Sequence, residues 1–164
     1  MPPRVILLLD GLTWKDYLDR VDQELPTRDS VARKALDRLS IRLGDLPGRE
    51  DNFGLIHYDF KVDNLIWNNH LPGIIDFDDC AGYWFVADIA YALRDLCDDR
   101  VSQVDLSHPS FKDFMRGYRL VRPVSDEELA QVPLLFLMVN LGIYTELGSI
   151  VTEGIAADEP EWTV

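Results

Sequence analysis

The hydrophobic period of this chain changes twice. Up to Gly44 apolar residues recur at helical steps, from Phe53 to Phe77 they fall in short strand-like runs, and from Val86 the helical period resumes. A chain written this way folds as helices around a small β element set in its middle. Residues 13 to 24 place Trp14, Tyr17, Leu18 and Val21 on one side of a helix that Pro26 ends. Thr27 or Asp29 can cap the next helix. There Val31, Ala32, Ala35, Leu36, Leu39 and Leu43 form one apolar face, and Gly44 with Pro47-Gly48 stops it. Phe53–Tyr58 and Asn64–Trp67 read as short strands. Asn68-Asn69-His70 and Pro72-Gly73 read as turns, and Gly73–Phe77 as the returning strand. Val86–Leu96, with Ile89, Ala92, Leu93 and Leu96 inward, reads as a helix. Two more are expected around 109–120 and 126–150, the second long, apolar and interrupted near Gly142. Pro2–Asp10 reads as a short buried strand or an irregular tail. The expected class is α+β, mostly α. The expected organisation is a helical segment over 1–52, a core over 53–154 and an acidic tail over 155–164.

Composition narrows the function. Of 164 residues, 47% are hydrophobic and 27% charged, the balance of a folded domain rather than a disordered chain. A chain this long hides roughly 70% of its unfolded surface, enough for one core. Sixteen Lys+Arg against 29 Asp+Glu give a net charge of −13. Such a chain repels phosphate backbones and anionic bilayers, so neither nucleic acid nor a membrane is an expected partner. Cationic small molecules and metal ions remain open. The region after Arg122 holds eight acidic residues and no Lys or Arg. The two cysteines, Cys80 and Cys97, show no metal spacing and no disulfide framework. The apolar run Val5–Leu9 is too short for a secretion signal, and Pro133–Val139 is too short to span a bilayer. A reducing cytoplasm is the expected location.

The chemistry is concentrated in His57-Tyr58-Asp59-Phe60-Lys61-Val62-Asp63-Asn64 and in Gly73-Ile74-Ile75-Asp76-Phe77-Asp78-Asp79. Phosphoryl transfer needs a carboxylate beside the attacking hydroxyl and hard oxygen ligands for a divalent cation on the phosphates. Asp59 follows a strand in a loop free to face a substrate. Asn64 lies five residues on, where the chain returns to a strand, and Asp76 stands at the end of the opposite arm. A hairpin sets such positions side by side, so Asn64 and Asp76 can share one ion. An amide oxygen plus a carboxylate is a weak site, suited to Mg²⁺ already carried by nucleotide phosphates.

These segments resemble the catalytic core of the aminoglycoside phosphotransferase and choline kinase-like family, relatives of the protein kinases. That family carries an H-x-D-x-x-x-x-N loop, an apolar strand reading I-I-D-[WF]-[ED], and a D-[LI]-A helix start. Here they stand as His57/Asp59/Asn64, Ile74-Ile75-Asp76-Phe77-Asp78 and Asp88-Ile89-Ala90. The likeness continues through Phe114-x-x-Gly117-Tyr118 and covers about residues 53 to 145. It implies a kinase-like C-terminal lobe whose small β-hairpin carries the catalytic loop. It also implies ATP and Mg²⁺ as cofactors. Asp59 would be the catalytic base, Asn64 and Asp76 would bind the metal and nucleotide, and Asp78 or Asp79 would assist. His57 would brace the loop, Lys61 would sit near the transferred phosphate, and Asp88 would hold the loop from beneath. The family usually has glycine where Tyr58 stands. No activation segment or A-P-E signature follows Asp76, which favours a small-molecule kinase over a protein kinase.

Only 52 residues precede Phe53, and those from 13 to 43 read as helices, so the β-rich N-terminal lobe that covers the phosphates in kinase-like enzymes is not expected in this sequence. The expected function is the catalytic lobe of a phosphotransferase acting on a hydroxyl of an aminoglycoside-, choline- or homoserine-like acceptor, cationic acceptors included. The alternative is an orphan lobe that binds or dimerises through its bare surface without catalysing. A third reading, a metal-dependent phosphohydrolase, uses the same acids on water. Trp84, Phe85 and Tyr91 are expected in the core rather than in a substrate cavity.

Overall fold

Thr13 opens the described part of the chain. Its hydroxyl accepts from Asp16 N–H while the Asp16 carboxylate takes the Thr13 N–H at 2.7 Å, a capping box that starts α1 (Trp14–Glu24). The structure is a computed structural model that describes residues 13–96 and 105–153. The expected elements at Pro2–Asp10 and in the tail 155–164 lie outside those residues, as does Cys97. Tyr17, Leu18 and Val21 are buried along α1, and the helix gives way to extended backbone at Leu25 before Pro26. Asp29 caps α2 (Ser30–Gly44) by accepting the Ala32 N–H at 3.0 Å. The buried stripe of α2 is Ala32, Leu36, Leu39 and Leu43. Val31, expected on that stripe, stands 79% exposed because it flanks the stripe at the first turn, where no neighbour covers it.

The β region differs from expectation in register and in number of strands. β1 (Phe53–Ile56) pairs antiparallel with β4 (Ala81–Trp84). β2 (Leu65–Asn68) pairs antiparallel with β3 (Leu71–Ile74). Thr13 adds a parallel bridge to Gly82. The second hairpin turns over Asn69 and His70, whose φ values are 47° and 70°. Positive φ at both centres is the twist-matched turn of a two-residue hairpin, so the strand returns at Leu71 rather than at Gly73. Pro72-Gly73 is therefore strand and not turn, with Pro72 opposite Trp67 in a ladder that has no third strand to serve. β3 ends at Ile74, so Asp76 stands beyond the strand, itself at φ 64°. β4 was not expected.

The C-terminal half is helical. α3 (Val86–Leu96) buries Val86, Ala87, Ile89, Ala90, Tyr91, Ala92 and Leu93, so it is covered nearly all round. α4 (Pro109–Tyr118) follows, with Phe111 and Met115 inward. The single helix expected over 126–150 is two: a one-turn α5 (Asp126–Leu129), capped by Ser125, and α6 (Val132–Glu153). Pro133 explains the break, since it fits only the first turn of a new helix. α6 runs on through Gly142 without interruption. It packs along α3 and receives α1 and α2 on its other sides, which places its apolar residues in one core with theirs. By length and mean hydropathy (1.3) the stretch Asp126–Gly148 could cross a membrane, yet half of it is buried inside the fold, as a core helix is. Trp84 and Tyr91 are core residues as expected, and Phe85 is half-buried under the Arg122 guanidinium at 4.8 Å.

Candidate active site

The loop from His57 to Asn64 joins the two small sheets, and α3 holds it from below. Asp88, in the first turn of α3, accepts the His57 N–H through Oδ2 at 3.1 Å and the Tyr58 N–H through Oδ1 at 2.9 Å. Burial pushes the Asp88 carboxyl above its ordinary range, and those two bonds offset only part of that rise. His57 donates from Nε2 to the Ile75 carbonyl at 2.9 Å, tying the loop to the end of β3. Its ring packs on Phe77, with centroids 4.8 Å apart, and its buried Nδ1 has no partner among the described residues.

Tyr58 sits at φ 70°, a conformation that costs a residue with a Cβ of order 1 kcal/mol or more. Glycine is cheap there, which explains the family preference. Here the tyrosine is held by its ring. Its centroid lies 4.6 Å from Tyr83 of β4, 4.9 Å from Tyr91 of α3 and 5.4 Å from Tyr17 of α1. Asp59, the next residue, lines the same cavity as the Tyr58 ring, its side chain 19% exposed. Asn64 donates from Nδ2 to the Asp59 carbonyl at 2.8 Å and to Asp59 Oδ2 at 3.1 Å. The Lys61 ammonium meets the same Oδ2 at 2.7 Å. That hydrogen bond, with the nearby charges of Asp59, Asp76 and Asp63, raises the lysine above its ordinary value against a smaller opposing cost of burial.

Asp59, Lys61 and Asn64 are thus brought into one contact group. Because the Asn64 amide spends its N–H groups on Asp59, its oxygen is turned away from that carboxylate. The Asn64 backbone carbonyl accepts the Ile75 N–H at 3.1 Å, which carries Asp76 back beside the loop. Asp76 is exposed and close enough to act on the Lys61 charge. Asp78 is exposed too, in the bend that the Cys80 N–H closes onto the Phe77 carbonyl at 3.2 Å. Among the described residues no cluster of three or more His, Cys, Asp or Glu is arranged to hold a metal alone. An amide oxygen and a carboxylate from Asn64 and Asp76 fit a hard cation that takes its other ligands from phosphate and water.

A cavity of 410 Å³ opens beside this loop, with Asp59 and Lys61 on its wall. Tyr17, Tyr58, Tyr83 and Tyr91 form its aromatic side, and Asp79, not Asp78, reaches it from the bend. The expectation that Tyr91 is core was half the truth, since it is buried and lines the cavity as well. Tyr17, Tyr83, Arg94 and Glu146 carry no linear motif, and only the packing of α1, β4, α3 and α6 brings them together.

The loop, the hairpin behind it and the helix that braces it define a kinase-like phosphotransferase lobe. The chain belongs to the phosphotransferase enzyme family, whose profile matches residues 5–123. It is 33% identical over 115 residues to the amicoumacin kinase of Bacillus subtilis, a match that takes in 66% of this chain and 33% of that protein. It is 33% identical over 118 residues to the homoserine kinase of Granulibacter bethesdensis, covering 71% of this chain and 35% of that one. The solved structure of the amicoumacin kinase hAmiN in complex with AMP-PNP, Ca²⁺ and Ami shares the fold. Its TM-score is 0.76 at 24% identity, over 90% of this chain and 46% of that chain. The chain spans about a third of the length of these curated relatives and under half of that solved chain.

Proposed function

We propose that this chain forms the catalytic lobe of a cytoplasmic, ATP- and Mg²⁺-dependent phosphotransferase that acts on the hydroxyl of a small molecule. One observation carries the reading: Asp59 stands on the wall of a cavity of acceptor size, its carboxylate fixed by Asn64 and Lys61. A hydroxyl entering the cavity meets a carboxylate already oriented to take its proton. The acceptor oxygen then forms a bond to the γ-phosphorus of ATP, the bond from that phosphorus to ADP breaks, and the proton passes to Asp59. Asn64 Oδ1 and the Asp76 carboxylate would hold the cation, with Asp78 near enough in sequence to add a ligand. A divalent cation there would neutralise the phosphate oxygens as charge moves to the leaving group. Lys61, drawn to Asp59 at rest, would turn toward the incoming phosphate. His57 and Asp88 keep the loop in place. The acceptor is a hydroxyl compound of the kind that amicoumacin kinase and homoserine kinase are named for.

The test is phosphoryl transfer from ATP with Asp59→Asn. Turnover should fall roughly 10²- to 10⁴-fold while the circular dichroism spectrum is unchanged. Turnover within a few-fold of the unaltered protein would defeat the assignment.

A second reading rests on the exposed hairpin. Ile66 and Leu71 stand on one side of β2–β3 and Trp67 and Ile74 on the other, and with Ile75 and Phe77 beyond them these six are between 42% and 72% exposed. In a two-lobed phosphotransferase that hairpin would meet nucleotide and N-terminal lobe. In an orphan lobe it would pair with a second copy. Light scattering that finds a concentration-dependent dimer, together with calorimetry that finds no ATP binding, favours the orphan lobe. A monomer that binds ATP at micromolar concentration excludes it.

A further inference from the structure

Among the described residues the wall of the cavity beside Asp59 holds three cations, Arg20, Lys61 and Arg94, and three carboxylates, Asp59, Asp79 and Glu146. Four of these are committed to one another: Lys61 to Asp59 at 2.7 Å and Arg20 to Glu146 at 3.3 Å. Arg94 and Asp79 are left. Neither has an ion-pair partner among the described residues, and both face the cavity. The other described residues of the wall are Tyr17, Tyr58, Tyr83 and Tyr91 with Ala81 and Ile143. Burial holds these phenols in their neutral form, so they add no charge.

This arrangement selects by sign. A purely cationic acceptor would leave the Arg94 guanidinium facing its own charge. A purely anionic one would face Asp79 and Asp59 together. A molecule with one carboxylate and one ammonium satisfies both free residues, and its ammonium also finds aromatic faces. A volume of 410 Å³ accommodates such a molecule with its hydroxyl at Asp59.

We propose that the cavity takes a zwitterionic hydroxyl acceptor, an amino acid with a side-chain hydroxyl or a compound that ends in one. Arg94 reads its carboxylate and Asp79 its ammonium. The proposal rests on the reading of Asp59 as the group that meets the hydroxyl, but its test does not.

The test is calorimetric titration of the chain, without nucleotide, with L-homoserine, with 3-aminopropan-1-ol (the same molecule lacking the carboxylate) and with 4-hydroxybutanoate (the same molecule lacking the ammonium). L-homoserine should bind roughly tenfold or more tightly than either analogue. Arg94→Gln should abolish the advantage over aminopropanol by weakening L-homoserine, while aminopropanol, relieved of the like charge, binds at least as tightly as before. Asp79→Asn should abolish the advantage over hydroxybutanoate. The proposal is overturned if either analogue matches L-homoserine, if L-homoserine shows no saturable binding, or if Arg94→Gln weakens L-homoserine and aminopropanol alike. Since no ATP is present, these results stand apart from the turnover of Asp59→Asn. Selective binding with no transfer would sink the phosphotransferase reading alone, and transfer to all three molecules at equal KM would sink the zwitterion alone.

Discussion

At the scale of single residues, Tyr58 is where local cost and tertiary gain meet. Its backbone conformation favours glycine, while its ring is buried among three others. Two substitutions separate the terms. Tyr58→Ala removes the ring and keeps the strain. Tyr58→Gly removes both. Both should destabilise, since a buried aromatic is worth about 3–5 kcal/mol against alanine. The glycine variant should be the more stable of the two by about 1 kcal/mol, the reverse of the order these residues show in a helix. Urea unfolding of the pair measures this, and an alanine variant as stable as the glycine variant would remove strain from the account. The motif itself was legible because His57, Asp59 and Asn64 stand at fixed spacing and an apolar run ending in Asp76 follows them. The left-handed turn at Tyr58 was not, because nothing local to a tyrosine announces it. Only the aromatic neighbours supplied by α1, β4 and α3 make that conformation affordable.

At the scale of elements, two glycine questions have opposite answers. His70 occupies the second centre of the β2–β3 turn at φ 70°, exposed and with no burial to defend. His70→Gly gives the Asn-Gly pair that such a turn prefers, and should raise stability by roughly 0.5–1 kcal/mol, read as a higher urea midpoint with unchanged slope. Gly142 lies inside α6, where alanine would ordinarily gain about 1 kcal/mol. A Cβ there would stand 1.4 Å from the Tyr17 hydroxyl and 2.6 Å from Cζ. Gly142→Ala should therefore destabilise, by about 1–3 kcal/mol, and Tyr17→Phe in the same chain should restore part of the loss. Additive effects of the two changes would contradict the contact. The same glycine read in sequence as a break in the helix, because a helical pattern does not reveal what approaches from the side. The helices themselves were readable from their period. β4 escaped notice because Ala81-Gly82-Tyr83-Trp84 has no alternation and its partner strand lies 28 positions away (81 − 53).

At the scale of the whole molecule, all six tyrosines are shifted upward, Tyr17, Tyr58, Tyr83, Tyr91 and Tyr118 by burial first and Tyr144 by its hydrogen bond to Asp29. A phenol whose folded pKa exceeds its unfolded one stabilises the fold below the ordinary tyrosine value, and that contribution is lost as pH rises toward the folded value. An absorbance titration at 295 nm should show less phenolate near pH 10 than six free phenols would give, followed by a steep cooperative rise that coincides with loss of helical ellipticity. A smooth rise centred at the ordinary value with the helices intact would mean that the tyrosine-walled cavity is open to water. The other large feature, the exposed apolar hairpin, has a practical consequence. Among the described tryptophans Trp67, on that hairpin, is 62% exposed, Trp14 is part-buried and Trp84 is 2% exposed in the core. Of these three indoles, the one on the hairpin emits furthest to the red. Whatever comes to cover Trp67, nucleotide, lobe or twin, will move its emission to the blue, and comparison with Trp67→Phe isolates that shift, so the protein carries an unlabelled fluorescent gauge of its own occupancy.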